Sequence, residues 1–205
     1  TIILIIIAVI IISIKQKETK HNNQILSVGR LIKRKGFVHL ISAFNEVTQT
    51  FPDAQLVIVG DGPDYDYLND EIQKLNLSDS INIYRNIKDK ELASLYYESK
   101  LFVLANLLLK NGDCEGAPNV IVEAASFGLP VIAGIMGGTS DVVDDGVTGY
   151  LINPENHIAL SDKIISLLED RKLREQMSEN SIKKAFKDHN QVIAGEQFKK
   201  IINNI

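Results

Sequence analysis

Tryptophan is absent from this 205-residue chain, cysteine occurs once, methionine twice and proline five times. A single cysteine excludes an intrachain disulfide framework and a C-x-x-C zinc site, and it fits a reducing compartment. Five prolines and thirteen glycines are too few for a collagen-like chain. With 45% hydrophobic and 23% charged residues, the balance is that of a globular protein rather than a disordered one. The four histidines (His21, His39, His157, His189) stand at no metal-ligand spacing, and no G-x-S-x-G elbow occurs. The sequence therefore offers neither a metal site nor an α/β-hydrolase nucleophile. Cys114 has no basic neighbour in sequence and reads as an incidental or structural thiol.

A strong excess of one charge is also lacking: the net charge is only −4. Its distribution says more. Residues 15–35 carry seven Lys/Arg against the single acid Glu18. A basic stretch on an acidic chain suits a local anionic ligand or a membrane surface. Lys15 to Lys20 also read as a solvated linker, whereas the Arg30 to Lys35 group directly follows an apolar strand. No nucleic-acid partner is expected.

The first fourteen residues, TIILIIIAVIIISI, carry no charge. Eleven consecutive apolar positions, Ile2 to Ile12, exceed a strand of roughly 5–6 residues, yet a membrane span takes about 20. Two readings stay open. One is the tail of a longer membrane segment, since the chain starts at Thr and Lys15, Lys17 and Lys20 follow as a cytoplasmic flank. The chain is expected in the cytoplasm, and on that reading at the inner face of a membrane. The other is a buried strand or an adventitious end. A typical secretory signal is not indicated, because neither a basic n-region nor a small-residue cleavage site is visible.

From Ile25 onward, short apolar runs alternate with helix-period stretches. The runs are 25–28, 56–59, 81–84, 101–104, 130–133 and 149–152. Phe37, Leu40, Ile41, Phe44 and Val47 mark one helix face, Leu68, Ile72 and Leu75 a second, and Leu92, Leu95 and Tyr96 a third. Continuous apolar strands alternating with helices predict an α/β domain with a parallel sheet covered on both faces. Right-handed crossovers make it doubly wound and Rossmann-like. The expected organisation is an apolar segment and basic linker over 1–24, the Rossmann-like domain over 25–190, and a C-terminal helix over 191–205. Ligands of such sheets sit outside the carboxyl ends of the strands, so the residues after each run are the candidates.

After the first strand, Gly29 permits a turn close to a ligand, and Arg30 and Lys35 flank a loop that enters a helix. Two cations beside a helix N-terminus suit a diphosphate, although a pair of surface cations reads equally well from this segment alone. After the second strand, Gly60-Asp61-Gly62-Pro63 lacks the third glycine of the dinucleotide fingerprint, because Tyr65 stands there. An NAD-dependent oxidoreductase is accordingly disfavoured, and Pro63 reads as the first residue of a helix. Asp64 and Asp66 then fall in its first turn, where carboxylates offset the macrodipole, rather than forming a metal-binding D-x-D.

After the fourth strand, Pro118 opens a helix, with Glu115 on the loop before it and Glu123 roughly 7.5 Å further along the axis. Carboxylates so separated cannot share a proton, but each can grip a diol, and the free N–H groups between them suit a phosphate. The bland alternative leaves Glu115 solvated and Glu123 an ordinary helix acid. Gly137-Gly138 allows a close approach to a ligand or simply a turn.

Together these segments resemble the donor-binding, C-terminal half of the GT-B glycosyltransferases of family 4, the group 1 set. The matching pieces are VGRLIKRKG at 28–36, FPDAQLVIVGDGP at 51–63, ELASLYYESKLFVLAN at 91–106, the E-x7-E segment EGAPNVIVEAASFGLPVIA at 115–133, and GGTSDVVDDGVTGYLI at 137–152. The resemblance implies a retaining transfer of a hexose from a nucleoside-diphosphate sugar to a glycan or lipid-linked acceptor, with no metal and no further cofactor. It implies that Arg30 and Lys35 hold the diphosphate and Glu115 the donor sugar, these three forming the catalytic set. Glu123 would contact the ribose, and Gly29 and the backbone of Gly116, Ala117, Pro118, Asn119 and Val120 would approach sugar and phosphates. Ile87 would lie near the base. Departures are Arg85 in place of a glycine after the third strand, a longer Asp-containing loop before Glu115, and Asp141 where a Glu is usual. An acceptor-binding domain is not among the matched segments. The alternative is therefore a non-catalytic or split-enzyme subunit that binds nucleotide-sugar and needs a partner chain for activity.

Overall fold

Six strands form the sheet, and the central ones are buried along their whole length, as a sheet covered on both faces demands. The six are β1 (Gln24–Val28), β2 (Gln55–Val59), β3 (Ile81–Tyr84), β4 (Leu101–Leu104), β5 (Val131–Gly134) and β6 (Gly149–Ile152). In this computed structural model, which describes residues 23–188, they form one parallel sheet in the order β3-β2-β1-β4-β5-β6. The apolar start and the helix expected over 191–205 lie outside the described residues.

Successive strand residues point to opposite faces. Ile25, Leu56, Ile58, Leu101, Val103 and Ile132 enter one core, with α1 (Phe37–Thr50), α2 (Tyr65–Lys74) and α5 (His157–Glu169). Leu26, Val57, Val59, Phe102, Leu104 and Val131 enter the other, with α3 (Asp89–Glu98) and α4 (Asn119–Ser126). A last helix, α6 (Arg171–Asp188), packs on α4 and α5. The stripe read from 37–47 is the buried face of α1: Leu40, Ile41 and Phe44 are fully enclosed, each burial worth about 1.5–3 kcal/mol.

The strand order explains where a ligand can go. From β1 the chain winds outward through α1 and α2 to β3, then returns through α3 on the opposite face to β4. Strands β1 and β4 are neighbours, with Ile25 opposite Leu101 and Leu26 opposite Phe102. The helices that follow them lie on opposite faces, so a crevice opens between their carboxyl ends, as at any such reversal.

Backbone contact joins the loops at this edge. Gly36 has φ +66, and a Cβ there would lie 1.7 Å from the Ala105 carbonyl oxygen. The Gly60-Asp61-Gly62-Pro63 turn buttresses the loop after β1: Leu31 N–H donates to Asp61 O at 2.9 Å, and Asp64 N–H to Leu31 O at 3.1 Å. Pro63 is therefore part of this turn and not, as read from sequence, the first helical residue. Asp64 takes the N-cap position of α2, and Asp66 falls in its first turn. None of the described helices is long and apolar enough to cross a membrane.

Gly36→Ala should destabilise the protein by about 2–4 kcal/mol, since it combines a left-handed backbone with overlap on a neighbouring carbonyl. A urea unfolding midpoint within error of the parent protein's would contradict this account of the loop junction.

Candidate functional site

The loop after β1 bends sharply because Gly29 N–H donates to Val59 O at 2.9 Å and Leu31 is fully buried beneath it. A single 3-10 turn, Lys33–Lys35, follows and ends at Gly36. Gly29 lies under the Lys35 side chain: a Cβ on it would meet Lys35 Cδ and Cε at 3.4 Å. The Arg30 side chain is exposed and forms no hydrogen bond or ion pair with any described residue. It and Lys35 thus stand at the carboxyl end of β1 in different states, one cation open to solvent and the other engaged.

Lys35 is engaged by Glu115, with Nζ 2.8 Å from Oε2. The other carboxylate oxygen accepts from Arg34 Nε at 2.7 Å, and an Arg34 terminal nitrogen reaches both oxygens of Asp113, at 2.9 and 3.2 Å. Glu115 is only 8% exposed, which excludes the solvated reading of this residue. Its two oxygens each hold one cation and retain a lone pair that can accept a hydroxyl. Glu115 and Asp113 lie beside Arg34 and raise its guanidinium pKa above its already high ordinary value, chiefly through the Glu115 hydrogen bond. Arg34 was not a candidate from sequence. Its only signal there is membership in the Lys33-Arg34-Lys35 run, which does not say which member faces the crevice.

Glycine packing fixes the loop that carries Glu115. A Cβ on Gly137 would lie 2.1 Å from the Glu115 carbonyl oxygen, and one on Gly138 2.8 Å from the Gly116 carbonyl carbon. Gly138 N–H donates to Glu115 O at 3.0 Å. The glycine pair thus presses on the chain at 115–117 and sets its position. Asn106, fully buried, braces the same region by accepting from Gly134 N–H and donating to Met136 O, both at 3.1 Å.

Beyond Glu115, Gly116, Ala117 and Asn119 are exposed, Pro118 is buried and Val120 is half-buried. Pro118 occupies the N-cap position of α4, and no side chain caps that helix. The N–H groups of Gly116 and Ala117 have no partner among the described residues. They and the open first turn of α4 present donors and the positive end of a macrodipole beside the Lys35 ammonium.

Glu123 lies on α4 and faces α3 rather than the cations. Its Oε2 accepts from the Tyr96 hydroxyl at 3.0 Å. Tyr96 is buried and stacks on Phe127 and Phe102 at ring-centroid distances of 5.2 and 6.1 Å. Burial pushes the Glu123 carboxyl up, against the lowering effect of the Tyr96 hydrogen bond, and Asp89 adds to the rise. Ile87 is half-buried against the core on the α3–α4 side. At the end of β3, Arg85 pairs with Asp61 at 2.8 Å and lies 4.4 Å above the Tyr65 ring, so it closes the surface where a glycine would leave it open.

Two histidines far apart in sequence meet: His39 Nδ1 and His157 Nε2 are 2.9 Å apart. Burial, together with His157, lowers the His39 pKa. Among the described residues no three His, Cys, Asp or Glu side chains are grouped to hold a metal ion.

This doubly wound parallel sheet, with its cation-lined crevice at the reversal, has the fold of one half of the GT-B glycosyltransferases. The chain belongs to the glycosyl transferases group 1 family, whose model matches residues 10–184. Among curated relatives, an uncharacterized glycosyltransferase of Haemophilus influenzae is 32% identical over 78% of this chain and 43% of its own length. An alpha-D-kanosaminyltransferase of Streptomyces kanamyceticus is 30% identical over 88% of this chain and 45% of its own. The chain thus spans less than half the length of these relatives. Among solved structures, the C-terminal domain of a group 1 glycosyl transferase (LpcC) from Francisella tularensis superposes with a TM-score of 0.73. It is 23% identical, over 86% of this chain and 91% of that domain. HepE of Anabaena in complex with UDP-glucose gives a TM-score of 0.74 at 24% identity, over 94% of this chain and 53% of that one.

Because burial raises the Glu123 pKa, the folded state holds this proton more tightly than the unfolded chain. The resulting stability is complete below the ordinary carboxylate range and is lost as pH rises through the raised value. Glu123→Gln, which keeps an acceptor for Tyr96, should raise the melting temperature at pH 7 by on the order of 1–3 °C. At pH 4 the difference should vanish. A variant less stable than the parent at pH 7 would show that Glu123 contributes as an anion.

Proposed function

We propose that this chain is the C-terminal, donor-binding half of a retaining family 4 glycosyltransferase, one that transfers a hexose from a nucleoside-diphosphate sugar to a glycan or lipid-linked acceptor. The observation that carries the reading is the juxtaposition of Lys35, Glu115 and the uncapped start of α4 at the β1–β4 crevice. Arg30 and Lys35 hold the diphosphate, with the N–H groups of Gly116 to Val120 as further donors. Glu115 receives hydroxyls of the donor sugar, Glu123 the ribose, and Ile87 borders the base. Acceptor recognition belongs to a separate domain, in keeping with a chain that matches 43–45% of those two curated relatives. The enzyme works in the cytoplasm, at the inner face of a membrane where its acceptor is lipid-linked.

The chemistry follows from charge. As the bond from the sugar to the leaving diphosphate breaks, negative charge grows on phosphate oxygens. Fixed cations and a helix N-terminus stabilise that charge more in the transition state than in the ground state. They supply what a metal ion does elsewhere. The bracing of 115–117 by Gly137 and Gly138 keeps these groups in place before the donor arrives, so little reorganisation is needed.

Charge-assisted hydrogen bonds contribute about 1.5–3 kcal/mol each. Arg30→Ala combined with Lys35→Ala should therefore weaken UDP or GDP binding by at least about a hundredfold. Calorimetry showing unchanged affinity in the double variant would reject the donor-site assignment.

A further inference from the structure

Arg34 holds two acids at once and takes no part in the donor contacts assigned above. Its Nε donates to Glu115 Oε1 at 2.7 Å, while a terminal nitrogen reaches both oxygens of Asp113. The second Glu115 oxygen takes Lys35 Nζ at 2.8 Å. Two partners therefore compete for the Lys35 ammonium: Glu115, and the diphosphate of an incoming donor. An ammonium that turns to phosphate weakens its bond to a carboxylate that is almost wholly buried, and a buried carboxylate stripped of its counter-charge is unfavourable. A guanidinium fixed between two carboxylates can hold one of them alone. A lysine, as a point charge, cannot span both.

We propose that Arg34 is a positioning residue that keeps Glu115 compensated and oriented, so that Lys35 can be released to the diphosphate. The proposal rests on the donor-binding reading. Asp113 completes the device by holding the outer edge of the guanidinium plane. It lies on the loop that precedes Glu115. The side chain can be replaced without parting the loops, because Leu107 N–H donates to the Arg34 carbonyl at 2.8 Å and the Gly36–Ala105 contact is made by backbone.

The test is calorimetric titration of UDP and GDP into the whole chain and its variants. The sugar-free nucleotides keep the proposed Glu115 sugar contact out of the measurement. Arg34→Gln should weaken binding at least about tenfold, since the phosphate must then strip Glu115 of its last cation. Arg34→Lys should fail to restore affinity. Combining Arg34→Gln with Glu115→Gln should recover most of the loss, because no buried charge is stranded. Wild-type affinity in Arg34→Gln, full rescue by lysine, or no recovery in the double variant would each overturn the proposal. A ligand-free measurement stands beside this one. The Arg34 Nε–H resonance should remain slowly exchanging in Lys35→Ala and vanish in Glu115→Gln; its loss in Lys35→Ala overturns the proposal. If the unaltered chain binds neither nucleotide, the donor-binding reading fails, and the resonance alone decides whether Arg34 holds Glu115 unaided.

Discussion

A buried carboxylate must be met by positive charge, and in this protein one such carboxylate joins the two halves of the sheet. Glu115 leaves the β4 side of the crevice and is met by Arg34 and Lys35 from the β1 side. Because β1 and β4 are the strands between which the winding reverses, this ion cluster sits where the fold offers a cleft. The glycine contacts around it have the same effect: Gly36 against Ala105, and Gly137 and Gly138 against Glu115 and Gly116, bring backbones together at distances no side chain would allow.

The cluster also shapes the local field. Arg30, Lys33, Arg34 and Lys35 crowd one edge of a chain that is acidic overall. Asp113 and Glu115 neutralise part of this charge, and Arg30 stays open to solvent. An anion arriving at this edge meets cations, the N–H groups of Gly116 and Ala117 and the start of α4 together, in a site whose backbone is already braced. Glu123 stands apart, in the half-buried space between α3 and α4. Burial there raises its carboxyl pKa, and its partner is a tyrosine hydroxyl where Glu115 has two cations.

Much of the architecture was legible in the residues. The apolar runs at 81–84, 101–104 and 149–152 are strands β3, β4 and β6 with no shift of boundary, and the other three move by one residue or less. Continuous apolar runs and period-3.6 patterns report burial directly, and burial is what the core requires. Pro63 misled because a proline before an apolar face usually opens a helix. Here Gly62 lies so close to Leu31 that the chain must complete a turn first, and α2 starts at Tyr65. Gly137 and Gly138, open to two readings in sequence, approach the protein's own backbone at 115–117.

By itself the sequence determined the alternation of strands and helices, the parallel sheet, the Rossmann-like class and the edge on which chemistry-bearing residues collect, since these follow from local periodicity and turn residues. Only the tertiary structure decided which side chains are partners. Arg34 and Glu115 are 81 positions apart, Tyr96 and Glu123 27, and His39 and His157 118. Such pairs leave no periodic trace, because side-chain direction in a short loop depends on close contacts made by the rest of the fold. For that reason a run of three basic residues could announce a cationic edge but not reveal that its middle member holds the buried acid.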